Sequence, residues 1–192
     1  MTKQLRVLMI NICSRYGNVP HFPPMPQLQS LALRCGHMTD DDFLEFVDLD
    51  QLPQLTDLSV SGPYSLFYDA CEGTRLFCGV SASIRTASLE RIGDLSILKH
   101  FGPSLTQLSL SCCGFDTFDP SISLPELTCL TATSYYPRDC RYVERIRTQL
   151  GLERDKDNVG RRMKGHTTNV MRRSSQTAET PFAERTPRLI RK

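Results

Sequence analysis

Tryptophan is absent from this 192-residue chain, and no stretch approaches the roughly 18 consecutive apolar residues that a membrane-crossing helix needs. The start, Lys3-Gln4-Leu5-Arg6 followed by Val7 to Ile10, has the basic-then-apolar order of a secretion signal. Its apolar run is short and no small-residue cleavage site follows, so cytoplasm or nucleus is the expected compartment and no membrane partner is expected. Cys-x-x-Cys is also missing. The eight cysteines, at 13, 35, 71, 78, 112, 113, 129 and 140, are scattered in a way that suits neither a disulfide framework nor a metal centre. Cys35-Gly36-His37 supplies two ligands where zinc wants about four. Asp40-Asp41-Asp42 has no glycine at the sixth place and no glutamate at the twelfth of a calcium loop, and Gly79-Val80-Ser81-Ala82-Ser83 lacks the second glycine of a nucleophile elbow. No metal or cofactor is therefore expected. The four histidines, His21, His37, His100 and His166, stand in separate segments, which leaves Cys35 with His37 as the one pairing from which a cysteine–histidine enzyme could be built.

What is present is a repeated phrase. Pro26-x-Leu28-x-x-Leu31-x-Leu33 returns at Pro53/Leu55/Leu58/Val60, Pro103/Leu105/Leu108/Leu110 and Pro125/Leu127/Leu130/Ala132. Copies without the proline occur at Leu5/Leu8/Ile10 and Ile84/Ala87/Leu89. The six starts, at 5, 28, 55, 84, 105 and 127, are separated by 23, 27, 29, 21 and 22 residues, a period that marks a solenoid of short repeats. Successive residues of a strand face opposite sides, so the aliphatic places of each phrase turn to a core while the polar residues between them turn to water.

These residues resemble leucine-rich repeats, and the likeness runs from residue 5 to about 135. The unit Leu28-Gln-Ser-Leu31-Ala-Leu33-Arg-Cys35-Gly36-His37-Met38-Thr39-Asp40 is similar to the cysteine-containing repeats of F-box substrate receptors, although no F-box is visible in this chain. Cys35 falls one place before the family's Cys or Asn position, which Cys13 and Cys113 do occupy. The resemblance implies an α/β fold. It would be a curved parallel sheet of about six strands with irregular or helical returns on its convex side.

Thr39 can cap a helix through Val47, with Asp40, Asp41 and Asp42 on its positive end, and a second return runs from Asp94 through Leu95, Leu98 and Phe101. Between Pro63 and Ser83 the chain is rich in aromatic residues. Either these cover the convex side of a long repeat, or Tyr64, Phe67 and Tyr68 project as anchors for a partner. A helix is predicted over about 138–150, with Val143, Ile146 and Leu150 on one face and Gly151 at its stop. It reads as the C-terminal cap of a domain spanning 1–152.

Residues 153–192 read as a disordered basic tail. They carry eleven Lys/Arg against five Asp/Glu, a net +6 that leaves −4 for the rest of a chain whose total is +2. Arg161, Arg162 and Lys164 with Arg172 and Arg173 resemble a two-part nuclear import signal, for which an import receptor is the partner. Arg172-Arg173-Ser174-Ser175 resembles a kinase site at Ser175. No aromatic residues are interleaved with these clusters, so nucleic acid is not the expected partner.

The outward places of the six phrases form three rows: Val7, Ser30, Asp57, Thr86, Gln107, Cys129; then Met9, Ala32, Ser59, Ser88, Ser109, Thr131; then Asn11, Arg34, Ser61, Glu90, Ser111, Thr133. This small, hydroxyl-rich wall is the expected partner-binding face. Arg34, Asp57, Ser59, Glu90, Gln107, Ser109 and Thr131 are its candidate contacts. The functional expectation is a protein–protein interaction module. The resemblance makes this the substrate-recognition part of an F-box-type ubiquitin-ligase receptor, with a ligase adaptor as partner if an F-box lies upstream. A free-standing scaffold is the alternative.

Overall fold

The computed structural model describes residues 5–12, 22–35, 46–62, 76–101, 104–134, 140–159 and 167–172. Six strands stack in parallel: β1 (Val7–Ile12), β2 (Ser30–Cys35), β4 (Asp57–Ser61), β6 (Thr86–Glu90), β7 (Gln107–Ser111) and β8 (Cys129–Ser134). Each pairs with the next in an unbroken register, so that Leu8, Leu31, Leu58, Ala87, Leu108 and Leu130 stand in one line across the sheet. The chain is thus a solenoid of stacked coils, mostly parallel sheet with little helix.

The proline of the repeated phrase opens three of the coils by a turn. In Met25-Pro26-Gln27-Leu28, Leu52-Pro53-Gln54-Leu55 and Leu124-Pro125-Glu126-Leu127, the last N–H donates to the first carbonyl at 3.0, 3.0 and 3.1 Å. Proline at the second place fixes the φ such a turn requires. The leucine it delivers is fully buried each time, as are Ile84 and Leu105 in the other coils. One residue later the coils are tied together. The Gln29 carbonyl accepts from the N–H groups of both Thr56 and Asp57, and the same fork recurs from Arg6, Thr56, Arg85 and Thr106. Thr56, Thr106 and Thr128 add their hydroxyls to the carbonyl of the coil before, at 3.1, 3.0 and 3.0 Å.

The repeat pattern predicts helical or irregular returns, and the described ones are short strands and 3-10 turns. Val47–Asp48 (β3) pairs in parallel with Phe77–Cys78 (β5), which makes Val47 a strand residue and not the end of a helix; residues 36–45 lie outside the described residues. The return at Leu95–His100 is a 3-10 turn, buried through Leu95, Ile97 and Leu98 and capped by Asp94, whose carboxylate accepts from the Ser96 N–H at 2.8 Å. Asp48 and Asp119 accept from the N–H two residues on in the same way, at 3.0 and 2.8 Å. Leu76 and Phe77 are buried, and Phe77 packs edge-on to Phe101 with centroids 6.3 Å apart. The described end of the aromatic stretch is therefore packed into the core between the sheet and its return segments.

Helix α1 (Cys140–Gln149) buries Val143, Ile146 and Leu150, as the spacing predicts. Gly151, at φ +64°, ends it. The Gly151 N–H donates to Thr148 O and the Leu152 N–H to Arg147 O, a Schellman closure whose left-handed residue favours glycine.

The predicted disordered tail needs correction at its start. Glu153–Val159 (β9) and Thr167–Arg172 (β10) are strands. β10 pairs antiparallel with β8, β9 pairs with β10, and together they extend the sheet at its C-terminal end. The sequence signal is weak because β9 reads Glu-Arg-Asp-Lys-Asp-Asn-Val, with no apolar alternation. What holds the pair is the ladder offered by β8 together with the burial of Met171 opposite Leu130.

Candidate functional site

Side chains alternate across each strand, so the face of the sheet opposite the leucine strip is built from the three predicted rows, and the register aligns every member of each row with its neighbours. At about 4.8 Å between strands, Asp57 and Gln107 stand two strands, roughly 10 Å, apart along the first row. Arg34 and Glu90 are spaced likewise along the third. Ser59, Ser109 and Thr131 lie on the middle row, with Ser88 between the two serines.

The large polar groups of this wall differ in how they are held. Arg34, Asp57 and Gln107 are exposed. The Asp57 carboxylate accepts from the Thr56 hydroxyl at 2.7 Å, which points it along the strand entry. Glu90 is half-buried and engaged by its neighbour Arg91 at 2.9 Å. Arg91 itself has φ +57°, a left-handed backbone that a non-glycine residue adopts at a cost of about 1–2 kcal/mol. Cys112 repeats this conformation one coil later at φ +56°. In both, the N–H continues the ladder beyond the strand, from Arg91 to Ser111 O and from Cys112 to Thr133 O. At the far end the Thr133 and Thr168 hydroxyls meet at 3.3 Å, so β10 prolongs the hydroxyl-rich character of the wall.

Below the wall, Cys113 is buried at the point where β7's coil turns away. Its thiol donates to Leu89 O of the preceding coil at 3.4 Å and lies 3.5 Å from Ser111 O. Burial pushes this thiol up to about 12, against the lesser downward pull of surrounding backbone groups, so it is a packed structural cysteine and not a nucleophile. Cys35 is buried at the end of β2, and its sequence neighbour His37 lies outside the described residues. His100 Nδ1 donates to Gly79 O, 2.7 Å away, among the return segments. No three His, Cys, Asp or Glu side chains converge as metal ligands do among the described residues. A shallow cavity of about 260 Å³ on the outer side lies between Ile122, Leu124 and Leu150, and Gln149 crosses its rim to donate to Pro120 O.

The tail residues divide. Arg172 belongs to β10, in register with Cys129 and Glu153. Arg161, Arg162, Lys164, Arg173 and Ser175 lie outside the described residues, as do the proposed anchors Tyr64, Phe67 and Tyr68. Val7 and Met9, outward members of the first strand, are exposed apolar residues, and so is Leu5, which the repeat pattern places in the core and whose counterparts Leu28, Leu55, Ile84, Leu105 and Leu127 are fully buried. The common phase of Leu5, Val7 and Met9 at every second residue was the available signal. No helix among the described residues is long and apolar enough to cross a membrane. No family model, no curated protein and no solved structure matches the chain.

Proposed function

We propose that the chain is a protein-binding module of the leucine-rich-repeat type, which holds its partner on the wall formed by the outward rows of β1, β2, β4, β6, β7 and β8. The observation that carries this reading is the unbroken register of six parallel strands, which turns isolated serines, threonines and a few charged groups into one continuous surface. The repeat subtype is supported by Cys113, whose thiol bridges to the preceding coil from the place where cysteine-containing repeats carry their cysteine. In its most concrete form the module is the substrate-recognition part of an F-box-type ubiquitin-ligase receptor. A free-standing scaffold is the second reading, and both use the same wall.

The wall has few large side chains, so Arg34, Asp57 and Gln107 supply the directional contacts while the hydroxyls admit a close-lying partner. The test is affinity capture with the wild-type chain and with the combined variant Arg34→Ala, Asp57→Ala, Gln107→Ala. Specific partners should be lost from the variant while its melting temperature stays within a degree or two, since all three residues are exposed. Retention of every partner would place binding elsewhere. Recovery of a ligase adaptor or cullin with the wild type selects the receptor reading, and its consistent absence selects the scaffold.

A further inference from the structure

The two ends of the sheet are finished differently. β9, at the C-terminal edge, alternates charges through Glu153-Arg154-Asp155-Lys156-Asp157, a composition that discourages another strand from adding there. β1, at the N-terminal edge of the described sheet, reads Val-Leu-Met-Ile-Asn-Ile and carries no charged residue. Leu5, Val7 and Met9 are 48%, 65% and 60% exposed, and they are the exposed large apolar residues of the described chain apart from Val80. On the core side of the same strand Leu8 and Ile10 are only half-buried, unlike their counterparts in the next coil.

Backbone direction adds to this. The Arg6 carbonyl faces β2, where it accepts from the Ser30 N–H at 3.0 Å. Alternate residues turn their peptide groups to opposite sides, so the N–H and C=O groups of Leu5, Val7, Met9 and Asn11 face the free edge. The same residues thus carry both the exposed apolar side chains and a ladder that no other strand among the described residues takes up.

We propose that β1 is a self-association edge that pairs antiparallel with β1 of a second copy, about a two-fold axis through Val7. The occupant follows from complementarity. Stacking β1 on β9 of another copy would pair Val7 and Met9 with a strand whose sequence is Glu-Arg-Asp-Lys-Asp-Asn-Val, whereas head-to-head pairing sets apolar against apolar. Spacing at residues 5, 7 and 9 is symmetric about Val7. Val7 then faces Val7 of the second copy, Leu5 faces its Met9, and Arg6 faces its Leu8, so no like charges meet. The contact is closed by its symmetry and does not propagate. One strand offers less than the roughly 800 Å² per partner of a stable interface, so the dimer is weak, with dissociation in the tens to hundreds of micromolar.

Sedimentation velocity on the full chain from about 10 µM to about 1 mM should show the mean mass rising towards twice the monomer. Val7→Lys and Val7→Glu should each stay monomeric over that range, because the axis then juxtaposes identical charges, and their melting temperatures should match the wild type at low concentration because Val7 is largely exposed. An equimolar mixture of the two should recover association at least ten-fold stronger than either alone, since lysine then meets glutamate. A wild type that remains monomeric near 1 mM, a dimer that survives Val7→Lys, or a mixture that fails to associate would each overturn the proposal; the first is also what a strand from a different protein as the natural occupant would give.

Discussion

The Cys113 thiol donates to the Leu89 carbonyl of the preceding coil at 3.4 Å, inside the leucine strip. Two consequences follow for its chemistry. A thiol that is buried and held as a donor is protected, so iodoacetamide at pH 8 should label Cys113 only after denaturant unfolds the chain, while half-buried cysteines such as Cys129 react first. Mass spectrometry of the labelled peptides reads this directly.

The same thiol gives a pH dependence with a definite sign. Its ordinary value of 9.0 applies to the unfolded chain, and burial raises it to about 12 in the folded one. As pH passes 9 the unfolded state loses this proton and the folded state keeps it, so its contribution is complete below pH 9 and declines by about 1.4 kcal/mol per unit until pH 12. Between pH 8 and pH 10.5 wild type should lose on the order of 2 kcal/mol more than Cys113→Ser, which does not titrate there. Urea unfolding of both proteins at the two pH values measures the difference, and parallel slopes would show that the thiol is not sequestered.

How much of this could be seen in the chain beforehand depends on which force sets each element. The six strands and their relative register were legible because the aliphatic places recur at a fixed spacing, and in four of the phrases a proline, with a turn such as Met25 to Leu28, sets the phase of the strand that follows. The returns were less legible. Val47 is apolar in either a helix or a strand, and its pairing with Phe77 is a contact across 30 residues that no local pattern encodes. β9 and β10 were missed for a related reason. Backbone ladders with β8 hold them, and a charged sequence such as Glu153 to Asp157 carries no apolar period to announce this. The wall's geometry was readable in full from alternation, but Ser and Thr suit any solvent-facing strand, so composition did not name a ligand.

Leu108 is 2% exposed and stands between Ala87 and Leu130 in the aliphatic line. Leu108→Asp buries an unpaired charge in a strip shared by three coils. It should cost more than about 4 kcal/mol and abolish the cooperative melt. Arg34→Ala, on the opposite face, should change stability by less than about 0.5 kcal/mol. Circular dichroism melts of the two variants check the assignment, and the reverse ranking would exchange the inner and outer faces of the sheet.

Gly62 and Gly114 are required by close approach between coils, and Gly151 by its conformation. A Cβ on Gly114 would run into the Gly93 carbonyl, and one on Gly62 into the Arg91 carbonyl, in both cases backbone that is itself tied into the stack. Gly114→Ala and Gly62→Ala should each cost about 2 kcal/mol or more, because the neighbouring coil must shift. Gly151 has open space around it and φ +64°, so Gly151→Ala pays only for the left-handed backbone, about 1 kcal/mol. Denaturant midpoints at constant slope should therefore order the three variants with Gly151→Ala the mildest.

The last pair of strands can be tested apart from the solenoid proper. Met171 is 2% exposed and lies in register with Leu130, so it is the apolar residue by which β10 is fastened to the end of the core. Met171→Asp should detach β10 and β9 while β2 to β7 keep their own ladders, since each coil of a solenoid depends mainly on its neighbours. Amide hydrogen exchange should then speed up at Leu130 and Ala132, whose N–H groups face β10 because the peptide groups of Cys129, Thr131 and Thr133 face β7, and remain slow at Leu58 and Leu89. Arg172→Ala, exposed at the end of the same strand, is the control and should leave all of these rates unchanged. If exchange accelerates uniformly through β4 and β6 instead, the added strands are an integral part of one cooperative unit. The sheet would then need its C-terminal pair to fold at all, and the resistance of the leucine strip to unfolding would have to be assigned to the whole stack, not to individual coils.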